Sequence, residues 1–290
     1  MYLPTIPDFA LVRDKTTGWR RKFYGVLALG WSGTTKQWHR LESAMQIMAI
    51  AIVPVAVSVH TIVSFDFSMA PVPMWHSTIF GPYFVAGAIF SGIAALIIAM
   101  AALRKFLHLE KYLHPVHFEN LGKLLLMMSL LWGYFVFAER LTTWYGNEGS
   151  EMTVFWQTQR LSFAPLYWTM VTVNFILPVT ILSFRKLRTI TGCVIASFGV
   201  VLGMWLERFL IIVPTLSHKY LSYSWGSYRP RTPEILLLVA TFGAMVLFYV
   251  LFSKLVPIIS IWEMKIGQHP QLAHERQTAD EAATMWRTQP

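Results

Sequence analysis

The sequence predicts an all-α integral membrane protein with about six transmembrane helices. Three observations carry that prediction. The chain is 55% hydrophobic with a mean hydropathy of +0.48, and only 13% of its 290 residues are charged, about half the share found in soluble domains. Six apolar runs, near 44–66, 77–103, 119–139, 162–184, 189–213 and 234–257, are each long enough for a hydrocarbon core that needs about 20 helical residues. Finally, the runs are too long and unbroken for barrel strands, and a helix satisfies its own backbone in lipid.

The elements follow in order. Residues 1–43 are polar and basic and read as a cytoplasmic, interfacial segment. Within them IPDFALVRD and KFYGVLALGW are expected to form short interfacial helices, with Trp19, Tyr24 and Trp31 suited to the headgroup layer. The transmembrane domain is expected over 44–262. Its first span ends in SVHTIVSFDF and so carries His60 and Asp66. Span two places Gly87, Ser91 and Ala95 four residues apart, a small-residue stripe for close helix packing. Pro82 falls in its first turns and Pro178 late in span four, where each marks a kink or an end. The segments TTWYGNEGSEMTVFWQTQR and SHKYLSYSWGSYRPRTP read as aromatic-rich outer loops. Glu234, after Thr232 and Pro233, complements the dipole at a helix start. The tail 263–290 reads as polar and cytoplasmic.

Charge placement fixes the expected orientation. Of the 24 Lys and Arg residues, sixteen fall on the side holding both termini, five on the other, and three within spans. By the positive-inside rule both termini are cytoplasmic. The net charge of +9 is therefore topology rather than a nucleic-acid surface, and no nucleic acid is expected as a partner. The single cysteine, Cys193, excludes an iron–sulfur cluster and covalent haem in this chain. Of nine histidines only His60 lies well inside a span, which argues against bis-histidine haem. No cofactor and no metal ion are expected to be bound by this chain, and HLEKYLHPVHFE (108–119) reads as a solvated loop whose spacing fits no zinc site.

Spans one, three and five run from inside to outside, so their C-terminal ends share one depth. There lie Asp66, the pair Glu139–Arg140 of FAERL, and the pair Glu207–Arg208 of WLERF. Intramembrane ionisable groups face a bundle or a watery cavity and find partners there. Two readings stand at this point: structural ion pairs, or a polar pocket and proton path opening outward. His60 and Asp66 are six residues apart, which is about 240° around a regular helix. They share a face only if the helix unwinds or a ligand spans the gap. Lys123, near a cytoplasmic end, snorkels or lines an inner half-channel.

SVHTIVSFDF (58–67), WHSTIFGPYFVAGAIFSGIA (75–94) and WLERFLIIVPTL (205–216), with IPDFALVRD at the start, resemble in order and spacing the NrfD/polysulfide-reductase family of membrane subunits. Within it the likeness is to the larger NrfD-like, quinone-interacting subunits of alternative complex III, and it spans about 1–262. The resemblance implies one NrfD-type four-helix bundle plus flanking helices, in a bacterial cytoplasmic (inner) membrane. It implies a subunit that carries no redox centre, oxidises quinol (menaquinone or ubiquinone) near the outer face, and passes electrons to a periplasmic iron–sulfur subunit. Haem c subunits and other membrane subunits would complete the complex, with proton translocation accompanying turnover.

Carried over by residue, Asp66 and Arg208 resemble quinone-site positions, with His60 beside them. Asp66 and His60 are then the candidate proton acceptors. Glu139 resembles part of a proton route, on which Glu207 and Lys123 are the further candidates. Family members have ten spans with IPD-x-A after the fourth. The first four helices are thus expected from upstream DNA or a neighbouring gene, unless this is a reduced member. The competing classes are a secondary transporter or proton channel, and a structural anchor for a peripheral redox subunit. A transporter should show paired broken helices at midplane, and no such pair is visible in the sequence.

Overall fold

In the computed structural model, residues 2–68, 72–110, 112–226, 228–256 and 260–262 are described. The expected tail, 263–290, lies outside them. Among the described residues six helices are long and apolar enough to cross a membrane, in the order the sequence predicts: α3 (Thr35–Ser68), α4 (Phe80–Phe106), α5 (Pro115–Gly146), a fourth span running Ala164–Ser183, α9 (Ile190–Ser217) and α10 (Thr232–Leu255). Among the described residues there is no strand. The chain is an all-helical, multi-pass membrane protein.

It divides into two compact units, Met1–Val53 with Pro230–Pro290, and Pro54–Arg229. In the first unit α1 (Ile6–Lys15) and α2 (Gly18–Leu27) form a hairpin. Pro7 suits the opening turn of α1, and Gly18, at φ +68, takes the left-handed conformation at the turn. Phe9 and Ala10 of α1 bury against Tyr24 and Ala28, with Val256 packed on the same cluster. The Tyr24 hydroxyl donates to the Leu255 carbonyl at 3.1 Å. Asp8, only 1% exposed, accepts the Trp262 backbone N–H at 3.0 Å. The Trp262 indole N–H donates to the Pro4 carbonyl at 2.9 Å. The IPDF segment is thus a clamp: a carboxylate among apolar side chains holds the strand of chain that follows α10. Glu234 accepts the Arg231 N–H at 2.9 Å and closes the start of α10.

The second unit packs four spans, α4, α5, the fourth span and α9, around one core containing Phe80, Phe90, Ile97, Leu125, Trp132, Leu182 and Val200. The buried face of α4 is Phe80, Tyr83, Gly87, Phe90, Ala94 and Ile97, an alternation of three and four residues. This corrects the small-residue stripe. Gly87 is buried, but Ser91 is only partly so and Ala95 is exposed. Steps of four advance roughly 400°, so such a stripe drifts about 40° per step off the packing face. Of the three only Gly87 makes a close approach, to Met204 of α9, and α9 adds two of its own. A Cβ on Gly199 would meet Leu177 Cδ2 at 2.6 Å, and one on Gly203 would overlap the Asn174 side chain.

The fourth span is α7 (Ala164–Val171), a π turn over Thr172–Ile176, and α8 (Leu177–Ser183). Pro178 supplies no N–H to the preceding turn. The Ser129 hydroxyl donates to the Asn174 carbonyl at 2.7 Å, the group residue 178 would serve in α-helical register. The expected outer loop after span three is largely helical. α5 continues to Gly146, Asn147 turns the chain at φ 48, and α6 covers Gly149–Gln159. That places Glu139 about two turns inside α5 rather than at its end.

Candidate functional site

Ionisable residues within the spans of the second unit fall into two sets. The first is buried. Glu207 on α9 is 2% exposed, and its Oε1 accepts from the Tyr83 hydroxyl of α4 and from the Trp132 indole N–H of α5, the latter at 2.6 Å. One carboxylate therefore ties three helices together. Glu139 on α5 is 4% exposed and accepts from the Ser77 hydroxyl at 2.5 Å. The two glutamates line one narrow cavity with Trp75, Tyr83, Arg140, Tyr167 and the apolar side chains Val136, Met170, Leu210 and Ile211. Arg140 sits over the Tyr167 ring at 5.0 Å and the Trp75 ring at 5.7 Å, and its Nη1 donates to Thr158 Oγ1 at 3.2 Å. The guanidinium supplies positive charge while aromatic faces replace its hydration.

The free space of that cavity is about 10 Å³, roughly what one water molecule needs. Ligand pockets run to several hundred Å³, on the order of 300 or more. The cavity therefore suits water and protons and does not admit an aromatic headgroup.

Arg208 follows Glu207 and turns toward α4. Its guanidinium lies 3.6 Å from the centre of the Phe84 ring. It fits because residue 87 is glycine: a Cβ there would stand 3.2 Å from Arg208 Nη2 and 3.6 Å from Glu207 Oε2. Nη1 of Arg208 is buried and, among the described residues, has no acceptor.

The second set lies on α3 and is exposed. α3 turns Thr61 and Phe65 toward Gly81 of α4, with Ser64 also buried. Asp66 is roughly 150° around the helix from that face at 100° per residue, and it is exposed. Among the described residues it has no side-chain hydrogen bond or ion pair. His60 is exposed as well, and its Nδ1 lies 2.8 Å from the Ala56 carbonyl of its own helix. A carbonyl only accepts, so Nδ1 carries the hydrogen, which leaves Nε2 of a neutral ring as the acceptor. Among the described residues, neither group touches Arg208.

Lys123 is at the opposite, basic end of the bundle. Its Nζ is 3.1 Å from Glu119 Oε1, which Arg188 Nη2 also approaches at 3.4 Å. Between the two ends lies a further polar stretch that the sequence did not single out. Asn174 is fully buried at the π turn, its amide nitrogen 3.5 Å from Met204 Sδ, and its Oδ1 has no donor among the described residues. Ser129 and Met204, its partners, each precede the Glu207 cluster by about one turn. Tyr83, Trp132 and Ser77 are likewise hydrogen-bond partners of the two glutamates that sequence reading missed. The available signal was their polar atoms on an otherwise apolar packing face. Among the described residues, no group of three or more His, Cys, Asp and Glu is placed to hold a metal ion.

Residues 14–218 match the family model described as Polysulphide reductase, NrfD. A search of curated proteins finds no match.

Proposed function

The chain belongs to the NrfD polysulfide-reductase family, quinone-interacting membrane subunits that partner iron–sulfur subunits in redox complexes, and from that premise we propose that it is the quinol-oxidising membrane subunit of an alternative complex III-like respiratory complex. In this reading it sits in a bacterial cytoplasmic membrane with both termini inside. Quinol, menaquinol or ubiquinol, reacts near the outer face.

The observation that carries the reading is the exposed pair on α3. A charged residue at the centre of a span costs roughly 2.5–3.5 kcal/mol on insertion scales, and a polar residue toward the end of one, as His60 and Asp66 are on α3, costs less. Among the described residues, His60 and Asp66 have no protein partner at their acceptor atoms. A polar ligand that partitions into lipid offsets that cost, and a quinol headgroup has two hydroxyl donors. Oxidation releases two protons and two electrons. Asp66 takes the proton of one hydroxyl as general base. His60 lies six residues back on the unbroken helix α3, about 120° around it and about 9 Å along it, so it is a second acceptor only for a ligand that spans that gap. Arg208 is the proposed donor to a quinol oxygen as negative charge develops, a role that requires the headgroup to part the packing around its buried Nη1, which has no acceptor among the described residues. The electrons leave to an iron–sulfur partner subunit and from there to haem c subunits, since this chain is proposed to hold no redox centre of its own.

The buried set serves protons. Glu139 and Glu207 share a water-sized cavity, which supports a relay from the outer end inward along Ser129 and Asn174 toward Lys123. The test is extraction of the purified complex for bound quinone, together with quinol-driven reduction of its acceptor. Stoichiometric quinone and turnover support the reading. A complex that assembles with neither makes the chain an anchor for its peripheral partner.

A further inference from the structure

The α1–α2 hairpin carries a second apolar stripe that the protein does not cover. Tyr24 and Ala28 face α1. On the other side of α2, Trp19, Phe23 and Val26 recur at spacings of four and three, and they are 68%, 37% and 74% exposed. At 100° per residue the three fall within a sector of roughly 60°. Arg20 flanks that sector on one edge and Lys22 on the other, both exposed. An amphipathic helix of this kind, apolar on one face and cationic beside it, lies in a membrane interface.

Its position in the first unit agrees. Tyr24 bonds the carbonyl of Leu255, the last residue of α10, and Trp31 meets Trp38 of α3 with ring centres 4.9 Å apart. The hairpin is therefore docked where two apolar spans end, at the depth where hydrocarbon gives way to headgroups.

We infer that α2 is an in-plane docking surface for anionic phospholipid, with Trp19, Phe23 and Val26 in the acyl boundary and Arg20 and Lys22 on the headgroup phosphates. Lipid is favoured over a partner helix because the stripe is narrow and bordered on both edges by positive charge. A covering helix would have to bury those charges, whereas an anionic headgroup pairs with them.

The test uses the full chain in nanodiscs of phosphatidylcholine doped with phosphatidylglycerol, one or the other brominated in its acyl chains. Emission belonging to Trp19 is the difference between the parent and Trp19→Phe. Brominated phosphatidylglycerol is expected to quench it well beyond its mole share. The double variant Arg20→Gln/Lys22→Gln should lower that preference by roughly fivefold for each charge removed. Trp19 emission untouched by either brominated lipid would mean that protein covers the stripe. Equal quenching by the two lipids in parent and variant would remove the anionic preference. Either result overturns the inference.

Discussion

Glu207 and Asp66 are both carboxylates inside apolar helices, and the protein treats them oppositely. Glu207 is enclosed, with donors from two other helices on one oxygen. Asp66 is exposed on α3 and has no side-chain partner among the described residues. Removing Glu207 leaves a tyrosine hydroxyl and an indole N–H buried without an acceptor. Removing Asp66 leaves nothing unsatisfied among the described residues. An intramembrane charge that the protein has already satisfied holds the bundle and can relay a proton. One that it has not satisfied waits for something from outside the chain.

That contrast is broken most easily by stability measurements. Glu207→Leu strands two buried donors, each costing roughly 1–3 kcal/mol. Detergent-solubilised protein should lose about 2–5 kcal/mol, seen as a lowered thermal midpoint. Asp66→Leu should change it by no more than about 0.5 kcal/mol, as at other exposed sites. Equal losses would mean that Asp66 is structural too.

A smaller effect tests the packing that sets the buried group in place. Gly203→Ala must displace Asn174, and overpacking of this kind costs roughly 1–3 kcal/mol. Gly92→Ala, where a Cβ meets nothing within 4 Å, should be neutral in the same melt.

Asp8 extends the comparison to a carboxylate outside the spans. Burial is the largest influence and raises its pKa, against the backbone N–H groups of Trp262 and Ile261 that lower it. A folded-state pKa above the unfolded one means that its contribution to stability is complete below the unfolded value, near 3.8. That contribution declines as pH rises through the folded pKa. Asp8→Asn should flatten this part of the stability–pH curve, and a curve parallel to the parent's would contradict the assignment. Smallest of all, Lys123→Ala removes an exposed i,i+4 pair with Glu119. It should cost at most about 0.5 kcal/mol, so a variant complex that stays intact but moves fewer protons than the parent would support the proposed proton route.

The number and order of the spans were legible in the sequence because twenty apolar residues in a row have few other uses. Which face of each span is buried was not. A span that is apolar all round has no amphipathic stripe to read, so Tyr83 and Trp132 could not be recognised as partners of Glu207. Gly87 was noticed for its spacing with Ser91 and Ala95, whereas its real neighbours are Met204 and Arg208 of α9. α6 reads as loop in the sequence because GSEMTVFWQTQ mixes polar and aromatic residues without a clear helical period. Glu139 and Glu207 could be grouped by depth alone, and the structure does bring them into one cavity. The same depth argument grouped Asp66 and Arg208, which have no contact among the described residues, because depth says nothing about the angle around a helix.

In the proposed function quinol reacts at the exposed Asp66 of α3 while the enclosed glutamates carry protons. Steady-state quinol oxidation by the assembled complex carrying Asp66→Asn tests it most directly, with assembly checked by recovery of the partner subunits. Asparagine keeps the size of the side chain and removes the base, so the account predicts a fall of roughly 10²–10⁴-fold in an intact complex. Turnover at the parental rate would contradict it.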